Sequence, residues 1–430
     1  MPLKHLAMGL SLIGAGGGVF VRSLSTPLLH STGTLQRIIC SPKKPLSTCH
    51  HLFLQQRAVQ QDIATDEALL DVAIVGAGPA GLALAVGLKE KGVRVKVFEA
   101  APEISERGAA VFVQSIGLVE LDKLKPGLAA EVVAVGRQVD MIHLTRPAGD
   151  TIFKVDMRPL GELFGYPFVG VTRYALQRVL KKHLDDDELQ VGACLRELSA
   201  NRADGVTELS FDGSPEVVRA RAVVGADGRR SVVRKNVLAK DERNCDWTLT
   251  WWALADLPKP ITLEGEFRMS YKSKQAIYYG EVENGVTMWS FTCWRDGEIE
   301  RDPKLRAARA LKELEGWPED LRNVVRSTHP DKIIELFVGD SPLQWQTWSK
   351  QPGVTLMGDA AHAMLPTLGM GVTSAFQDAV TLTKCIGIGG GDTPLAEALL
   401  KYERERRIPA TLLQVLSRIA MVFIENVLCR

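Results

Sequence analysis

Three glycines spaced two and three residues apart could hold the phosphates of a nucleotide. Gly76, Gly78 and Gly81 follow an apolar run, Val72 to Val75, and precede a stretch rich in Ala and Leu. In a strand–turn–helix unit, the first glycine permits a tight turn, the second lets a pyrophosphate approach the backbone, and the third lets helix and strand pack closely. The helix start also offers free N–H groups to an anion. The sequence therefore predicts a dinucleotide site, FAD or NAD, at Gly76, Gly78, Pro79, Ala80 and Gly81.

A carboxylate stands where the ribose of such a nucleotide would lie. Glu99 comes 18 residues after Gly81, at the end of a second apolar strand, Val93 to Phe98. An acid at this position accepts hydrogen bonds from ribose hydroxyls and disfavours a 2′-phosphate. We therefore predict that Glu99 binds the adenosine ribose.

Two further polar turns follow predicted strands. Asp359 comes after Gly358 at the end of a short apolar strand, and its carboxylate predicts a contact with a ligand hydroxyl, the alternative being a helix N-cap. Gly369 and Gly371 leave N–H groups bare at the start of a predicted helix. Asp227 lies between a buried strand and a helix predicted to begin near Ser231, where it either caps its own turn or orders a loop that faces a pyrophosphate.

With the glycine motif, these two segments make the chain resemble the group A flavoprotein monooxygenases, the single-component FAD-dependent aromatic hydroxylases and epoxidases. The motifs agree in order and spacing, and the resemblance covers about residues 70–410. It implies FAD, with Asp359 on the ribityl and pyrophosphate side. It departs at Met370 and Thr373, where relatives commonly carry Gln and Asn. Beyond the glycine motif and Glu99, the cofactor contacts that the resemblance implies are Arg107, Ala110, Arg173, Asp227, Gly358, Asp359, Pro366, Gly369 and Gly371.

Some residues near these motifs are interpreted with less chemistry or with an ordinary structural alternative. Arg173 opens an amphipathic helical pattern, and it is either near the flavin or a surface arginine. Arg107 and Ala110 resemble the segment whose backbone passes the isoalloxazine. His362 is interpreted as structural and not as a general base. No catalytic proton-transfer residue and no metal ligands are predicted.

The resemblance implies a reaction as well as a cofactor. NADPH or NADH reduces FAD, O₂ adds at flavin C4a, and the hydroperoxide inserts one oxygen atom into a small aromatic or unsaturated, isoprenoid-like molecule. The chain is therefore expected to be a monooxygenase. A related FAD-dependent reductase or halogenase is the first alternative, and a flavin-binding protein without turnover is the second.

The predicted strands and helices that position these residues alternate along the chain, and this order predicts an α/β fold. We expect a Rossmann-like FAD-binding domain of the GR2 type, an interleaved β-sheet substrate domain and a C-terminal helical segment. The eight tryptophans all lie between positions 247 and 348, where β-branched and aromatic residues alternate around tight turns. The predicted FAD parts are about 70–150, 165–240 and 335–390, and the predicted substrate sheet is about 241–334 with part of 140–165.

Charge separates the first residues from the rest of the chain. With 52 basic and 51 acidic residues, binding to nucleic acid by phosphate neutralisation is not expected. Residues 1–61 contain six basic side chains and no Asp or Glu, and they are rich in Ser, Thr and Leu. This composition predicts a transit peptide, for a plastid rather than a mitochondrion, with a secretory signal or an unaddressed leader as alternatives.

The last residues are apolar but interrupted. We predict a helix over 408–430, which contains Pro409, Arg418 and Glu425. The charges argue against a membrane span. Packing against the core is the first expectation, and peripheral contact with a membrane is the alternative. A monomer and a homodimer are both compatible with the sequence.

Overall fold

A computed structural model describes residues 69–106, 110–200, 205–238, 245–294, 297–343, 345–388 and 394–428. The predicted leader and Arg107 lie outside the described residues. The strands are β1 (Leu69–Val75), β2 (Val95–Phe98), β3 (Ala110–Val113), β4 (Arg137–Gln138), β5 (Met141–Thr145), β6 (Thr151–Asp156), β7 (Val169–Thr172), β8 (Leu189–Gln190), β9 (Leu195–Ala200), β10 (Thr207–Phe211), β11 (Val217–Gly225), β12 (Cys245–Asp256), β13 (Glu266–Lys272), β14 (Gln275–Glu283), β15 (Val286–Cys293), β16 (Ile334–Asp340) and β17 (Val354–Leu356).

The helices connect and cover these strands. They are α1 (Pro79–Lys89), α2 (Ser115–Leu124), α3 (Leu128–Val135), α4 (Arg158–Phe164), α5 (Arg173–Lys181), α6 (Val232–Leu238), α7 (Pro303–Glu313), α8 (Glu319–Ser327), α9 (Asp359–His362), α10 (Gly371–Ile388) and α11 (Leu395–Phe423). Short 3₁₀ turns occupy Asp186–Glu188, Pro330–Lys332 and Pro366–Leu368, and a π-helical turn, Ile424–Leu428, follows α11.

The first sheet carries the glycine turn. Its order is β8-β2-β1-β11-β10-β9, with β17 beside β11. Strands β8, β2, β1, β11 and β17 run parallel, whereas β9 and β10 pair antiparallel. Helices cover parallel strands on both faces, which explains why Val72 to Val75 is a continuous buried apolar run without alternation.

The connection from β1 to β2 follows from its residues. Pro79 lies in the first turn of α1, where its missing N–H costs nothing. Residues 81–88 of α1 are all buried, because the helix packs between β1 and α10. Gly92 then takes a φ of +72°, which lets the chain turn into β2.

The second sheet contains the aromatic residues. Its order is β16-β12-β15-β14-β13-β5-β6, and its pairs are antiparallel apart from β5 with β13. One face of β12 and β15 packs under α7 and α8 through Trp251, Trp289 and Trp317. The opposite face, with Leu254 and Met288, packs against the small sheet β3-β7-β4. These sheets and their helices confirm the predicted fold class.

The C-terminal helix begins earlier than the sequence suggested. The predicted start was near 408, whereas α11 runs from Leu395 through Pro409 to Phe423 without interruption. Proline usually breaks a helix because it lacks an N–H. Here buried residues on both sides of Pro409, from Leu399 to Met421, pack one side of α11 onto the protein, and this packing outweighs the single lost hydrogen bond.

Candidate functional site

The start of helix α1 has the form of an anion site. Gly78 is its N-cap residue, and as a glycine it has no side chain that could accept from the N–H groups of the first turn. A Cβ built at Gly78 would find only the Arg173 Nη2 atom, at 3.7 Å, so the backbone there is open. A Cβ at Gly76 would lie 2.5 Å from the Ala226 oxygen, and one at Gly81 would lie 2.0 Å from the Gly76 oxygen. Two glycines are therefore required by packing, and the third leaves room for a ligand beside a positive helix end.

Glu99 lies against this turn. Its Oε2 accepts the N–H of Ala77 at 2.7 Å, and its Oε1 accepts the N–H of Ala101 at 2.9 Å. The side chain of Gln177 on α5 donates to the oxygen of Ala77 at 2.7 Å. The carboxylate is thereby fixed at the carboxyl end of β2, and its contact with a ribose stays a prediction.

Asp227 caps a helix. It accepts the hydroxyl of Ser231 at 2.5 Å, the N–H of Val232 at 2.6 Å and the N–H of Val233 at 3.1 Å, and α6 starts at Val232. Burial raises the pKa of Asp227, and these hydrogen bonds oppose the rise. The Asp227 Cα also lies 2.9 Å from a Cβ built at Gly76, so the capped turn borders the glycine motif. The structure shows the capping role, and a role toward the pyrophosphate stays a prediction.

Asp359 projects from the first turn of α9. It is not the N-cap residue, which is Gly358 with a φ of +55°. Asp359 is solvent-exposed as a residue, although protein atoms surround its carboxyl group. This burial raises the pKa of Asp359, and the charges of His362 and of Arg173, Arg229 and Arg234 oppose the rise. A carboxylate held near several cations without capping a helix is available to a ligand.

Arg173 joins Asp359 to the glycine turn. It is the first residue of α5, its side chain is exposed, and its charge acts on Asp359 while its Nη2 atom faces Gly78. Ala110 is close to it in the fold, because Ala110 pairs with Thr172 across strands β3 and β7. The predicted residues Ala110, Arg173 and Asp359 are therefore brought to one region of the molecule.

A buried charge network holds the turn that carries Asp359. Asp378 Oδ2 accepts the N–H of Gly358 at 2.9 Å and lies 2.5 Å from His362 Nε2, and its Oδ1 accepts Arg406 Nε at 2.7 Å. Although burial alone would raise it, these partners hold the pKa of Asp378 at about 2. His362 contacts this network through Nε2, whereas its buried Nδ1 has no hydrogen-bond partner among the described residues, so its structural role stays a prediction.

The network was not found by sequence reasoning. Asp378 lies in α10 and Arg406 in α11, and neither residue was assigned a function. The available signal was one acid, Asp378, inside a largely apolar helical segment. Its partners are distant in the sequence, so their identity required the fold.

The loop before α10 exposes its backbone. Pro366 opens a 3₁₀ turn that ends at Gly369, with a φ of +60°, and Gln114 Nε2 donates to the oxygen of Leu368 at 3.0 Å. Gly371 then starts α10, and a Cβ built there would find no atom within 4 Å. Space is therefore open beside the first residue of this long helix, and the N–H groups of its first turn could stabilise negative charge on a ring bound there.

The inner face of the second sheet, which carries Leu254 and Met288, packs against the small sheet β3-β7-β4. Phe112 stacks on Phe168 at 5.6 Å between ring centroids and meets the edge of Phe267 at 4.5 Å. Trp252 occupies the same face as Leu254, since side chains alternate along a strand. Its indole N–H is buried and has no partner within the described part of the chain. Sequence reasoning could not assign individual tryptophans to the two faces.

These residues fit FAD. The open helix start and Arg173 suit a pyrophosphate, Glu99 and Asp359 are acceptors for ribose and ribityl hydroxyls, and the Gly369–Gly371 loop offers donors to a ring. The described residues contain no group of three or more His, Cys, Asp or Glu side chains that could hold a metal ion.

Comparison with known proteins agrees with this geometry. The family model described as FAD binding domain matches residues 69–415. Aurachin C monooxygenase/isomerase from Stigmatella aurantiaca is 29% identical over 345 residues, which cover 78% of this chain and 85% of that one. 3-Amino-4-hydroxybenzoate 2-monooxygenase from Streptomyces cremeus is 30% identical over 352 residues, which cover 79% and 84%. Chloroplastic zeaxanthin epoxidase from Prunus armeniaca is 28% identical over 375 residues, which cover 83% of this chain and 56% of that longer one.

A solved structure gives the same fold. The crystal structure of Klebsiella pneumoniae HpxO with FAD and uric acid superposes with a TM-score of 0.74 at 22% identity, covering 83% of this chain and 89% of that one. At this identity the likeness shows the fold alone.

Proposed function

This chain belongs to the FAD binding domain family, and from that premise we propose that it uses NADPH or NADH to insert one oxygen atom of O₂ into a small aromatic or unsaturated, isoprenoid-like molecule. The chain is an FAD-dependent monooxygenase, as its curated relatives are. FAD, when bound, supplies the redox and oxygen chemistry, and the protein supplies binding, orientation and exclusion of water.

The observation that carries the proposal is the convergence of distant motifs. Arg173 faces Gly78 in one direction and acts on Asp359 in another, and a Cβ built at Gly358 would lie 3.1 Å from the Ala80 Cβ. The glycine turn and the Asp359 turn therefore touch, although about 280 residues separate them. The start of α1 would bind the pyrophosphate, Asp359 would accept a ribityl hydroxyl, and the start of α10 would donate to the ring.

The substrate side of the proposal rests on the inner face of the second sheet. Its aromatic and sulfur-containing side chains, among them Phe267, Met269 and Met288, pack in one apolar cluster with the small sheet, and they would exclude water from a substrate bound beside the cofactor part. Such a face suits a flat or extended apolar molecule, and the buried indole N–H of Trp252 could donate to an oxygen atom on it. The printed names of the relatives give aurachin C, 3-amino-4-hydroxybenzoate and zeaxanthin as the molecules on which those proteins act, and they support a small organic substrate here.

The reductant is proposed to bind transiently. The sequence holds one GxGxxG motif after an apolar strand, and it lacks a second. A nicotinamide nucleotide would therefore approach the same flavin that later meets O₂. Comparing the rates of flavin bleaching by NADPH and NADH decides between the two.

An isotope experiment tests the oxygen step. Purified chain loaded with FAD is supplied with NADPH or NADH and ¹⁸O₂ in the presence of phenols, aryl acids, quinolones and isoprenoids. We expect at least one compound to accelerate NAD(P)H oxidation and to carry a single ¹⁸O atom in its product. A product reduced or halogenated without ¹⁸O would identify the reductase or halogenase alternative. A yellow protein that neither nucleotide bleaches with any compound would identify a flavin-binding protein without turnover.

We also propose that residues 1–61 direct the chain to a plastid. The proposal is supported by their six basic residues, their Ser and Thr content and their lack of acids. Residues 1–61 fused to a fluorescent protein should be imported and cleaved by isolated chloroplasts. Uptake by mitochondria alone, or entry into the secretory route, would contradict the proposal.

A further inference from the structure

Helix α11 presents an uncharged apolar face to solvent along its C-terminal half. Spacings of three and four residues place these side chains on one stripe of the helix. Of the described residues from 408 to 428, those that are exposed include no charged side chain. The large apolar side chains exposed on this stripe are Ile408, Leu412, Leu416, Ile419, Val422 and Phe423, followed by Val427 in the π-helical turn.

The other side of the same helix is fixed to the protein by polar contacts. Gln414 Nε2 donates to the oxygen of Ser341 at 2.7 Å and to that of Ala363 at 2.9 Å. Arg418 Nε donates to Asp340 at 2.5 Å, and the hydroxyl of Thr367 donates to the oxygen of Ser417 at 2.8 Å. By length and composition α11 with its π-helical turn could cross a membrane. Crossing would break all these contacts, so the helix is held along the surface of the protein.

The exposed side chains of α11 change from charged to apolar once along the helix axis. Lys401, Arg404 and Glu405 are exposed in the turn that precedes Ile408. From Ile408 to Phe423 the helix then presents apolar side chains over about 22 Å. Charged groups of both signs thus stand at one end of a hydrocarbon surface, as expected where a helix passes from headgroups into the upper acyl region of a lipid layer.

The apolar surface continues onto the second sheet. Leu428, at the end of the π-helical turn, packs with Leu144 of β5, and Arg146 Nη1 donates to the Leu428 oxygen. Leu144 is directly opposite Phe153 of β6 and shares its face of the sheet. Phe153 and its neighbour on that face, Val155, are both exposed. The stripe on α11 therefore ends beside exposed apolar residues at the edge of the substrate sheet.

We propose that this surface lies on a lipid bilayer, with the apolar stripe from Ile408 to Val427 among the upper acyl chains and the turn at Lys401, Arg404 and Glu405 at the level of the headgroups. A protein partner is the poorer fit, because protein interfaces carry about one hydrogen bond per 100–200 Å² and this stripe offers almost no donors or acceptors. A lipid layer needs none, and its headgroups accommodate the charged turn at Lys401, Arg404 and Glu405. The continuous apolar face is also the kind of surface that soluble monomers rarely expose.

One consequence concerns the substrate and rests on the proposed function. A surface that brings the edge of the substrate sheet to the bilayer would admit a lipophilic molecule directly from the acyl region. Vesicle binding is measured without turnover, so its failure and the failure of the proposed oxygen chemistry are separate results.

Flotation of the FAD-loaded full chain with vesicles tests the docking. The vesicles are phosphatidylcholine alone and phosphatidylcholine with phosphatidylglycerol. We expect the chain to float with both, and to remain bound at high salt because apolar insertion is not screened. The double variant L412S/I419S should bind vesicles at least about tenfold more weakly. The matched control is Leu263→Ser, since Leu263 is exposed to 72% at a distant turn and its loss should change nothing.

Hydrogen exchange on the unsubstituted chain gives a second, independent measurement. Vesicles should slow exchange in residues 408–428 and leave α7 and α8 unchanged. Equal flotation of L412S/I419S and the unsubstituted chain, with no slowing in 408–428, would overturn the proposal. So would a stable dimer, seen by analytical ultracentrifugation, that L412S/I419S dissociates and that does not float, because it would make a second copy of this chain the occupant.

Discussion

The region around the glycine turn and the Asp359 turn buries different kinds of groups from the second sheet. Around the Asp359 turn, a carboxylate, an imidazole and a guanidinium are buried together, with Asp378 in contact with both His362 and Arg406. Under α7 and α8 the second sheet buries mainly tryptophan and phenylalanine rings, around one carboxylate, Glu335, which accepts Trp251 Nε1 at 2.7 Å and Arg309 Nη1 at 2.9 Å. A charge network has one workable arrangement, whereas apolar rings can be exchanged for others of similar volume.

This difference indicates how the two regions can vary. The first must keep backbone N–H groups and charges in fixed positions for one cofactor. The second keeps its fixed polar contacts on the face under α7 and α8, whereas the apolar side chains of its inner face can change as long as the sheet and its shape are kept. The following experiments test whether the two regions respond to substitution as this comparison requires.

The largest effect is expected for Asp378→Ala. The substitution leaves Arg406 and His362 buried without their acceptor and frees the N–H of Gly358. Loss of one partner from a buried charge cluster costs about 3–5 kcal/mol. Urea unfolding of the purified variants measures this cost. The control is Glu319→Gln, which removes an exposed ion pair with Arg326 and should cost less than about 1 kcal/mol. Similar losses in both variants would contradict the comparison.

The same carboxylate should make stability depend on pH. Its pKa is held at about 2 in the folded chain against an ordinary value of 3.8. A folded pKa below the unfolded one gives stability that is present above about pH 4 and lost as the pH falls toward 2, about 2 kcal/mol in total and roughly half of it by pH 3. Unfolding free energies of the unsubstituted chain and Asp378→Asn at pH 6 and pH 3 measure the difference. If both chains lose the same amount between these values, Asp378 is not the group responsible.

Asp359→Ala should act on the cofactor and not on the fold. Asp359 is solvent-exposed and caps no helix, so its removal should cost little stability. Without an acceptor for a ribityl hydroxyl, we expect FAD to bind at least about tenfold more weakly, the equivalent of one lost hydrogen bond to a charged group. Visible flavin absorbance of the purified variant measures occupancy. Asp359→Asn keeps an acceptor oxygen and should retain more flavin, whereas near-stoichiometric flavin in Asp359→Ala would contradict its assigned role.

The smallest effects compare two neighbouring tryptophans on opposite faces of β12. Trp251→Phe removes a buried bond to Glu335, 2.7 Å long, and should cost about 1–2 kcal/mol of stability without changing flavin content. Trp252→Phe removes an indole N–H that has no partner in the described part of the chain, so stability should change by less than about 0.5 kcal/mol. Its effect should appear in KM for a substrate that bears an oxygen acceptor. An unchanged KM for every such substrate would remove Trp252 from the substrate face.

Sequence reasoning succeeded where a local pattern determines the structure. The turn after β1 requires glycine because two backbone segments approach within the space of a side chain, and the ends of β1 and β17 follow from short apolar runs. The sequence also predicted the aromatic sheet. It did not find the partners of Asp378, since they lie on two other elements, α9 with its N-cap and α11, which meet α10 only in the fold. It also placed the start of α11 too late, because tertiary packing outweighed the local preference of Pro409.

The parallel pair of β5 and β13 has a consequence for how the chain can be divided. Met141 pairs with Glu266 and Thr145 with Ser270, so the substrate sheet is completed by a hairpin made more than a hundred residues earlier. A fragment that starts after this hairpin would carry β13 as a bare edge, ready to join the edge of another molecule. Gene fragments cut between the two segments should therefore aggregate on expression, while co-expression of both pieces offers each its missing neighbour. A circular permutant with new ends at the exposed Asn284–Gly285 turn would keep that hairpin with its partner strand and should remain in solution.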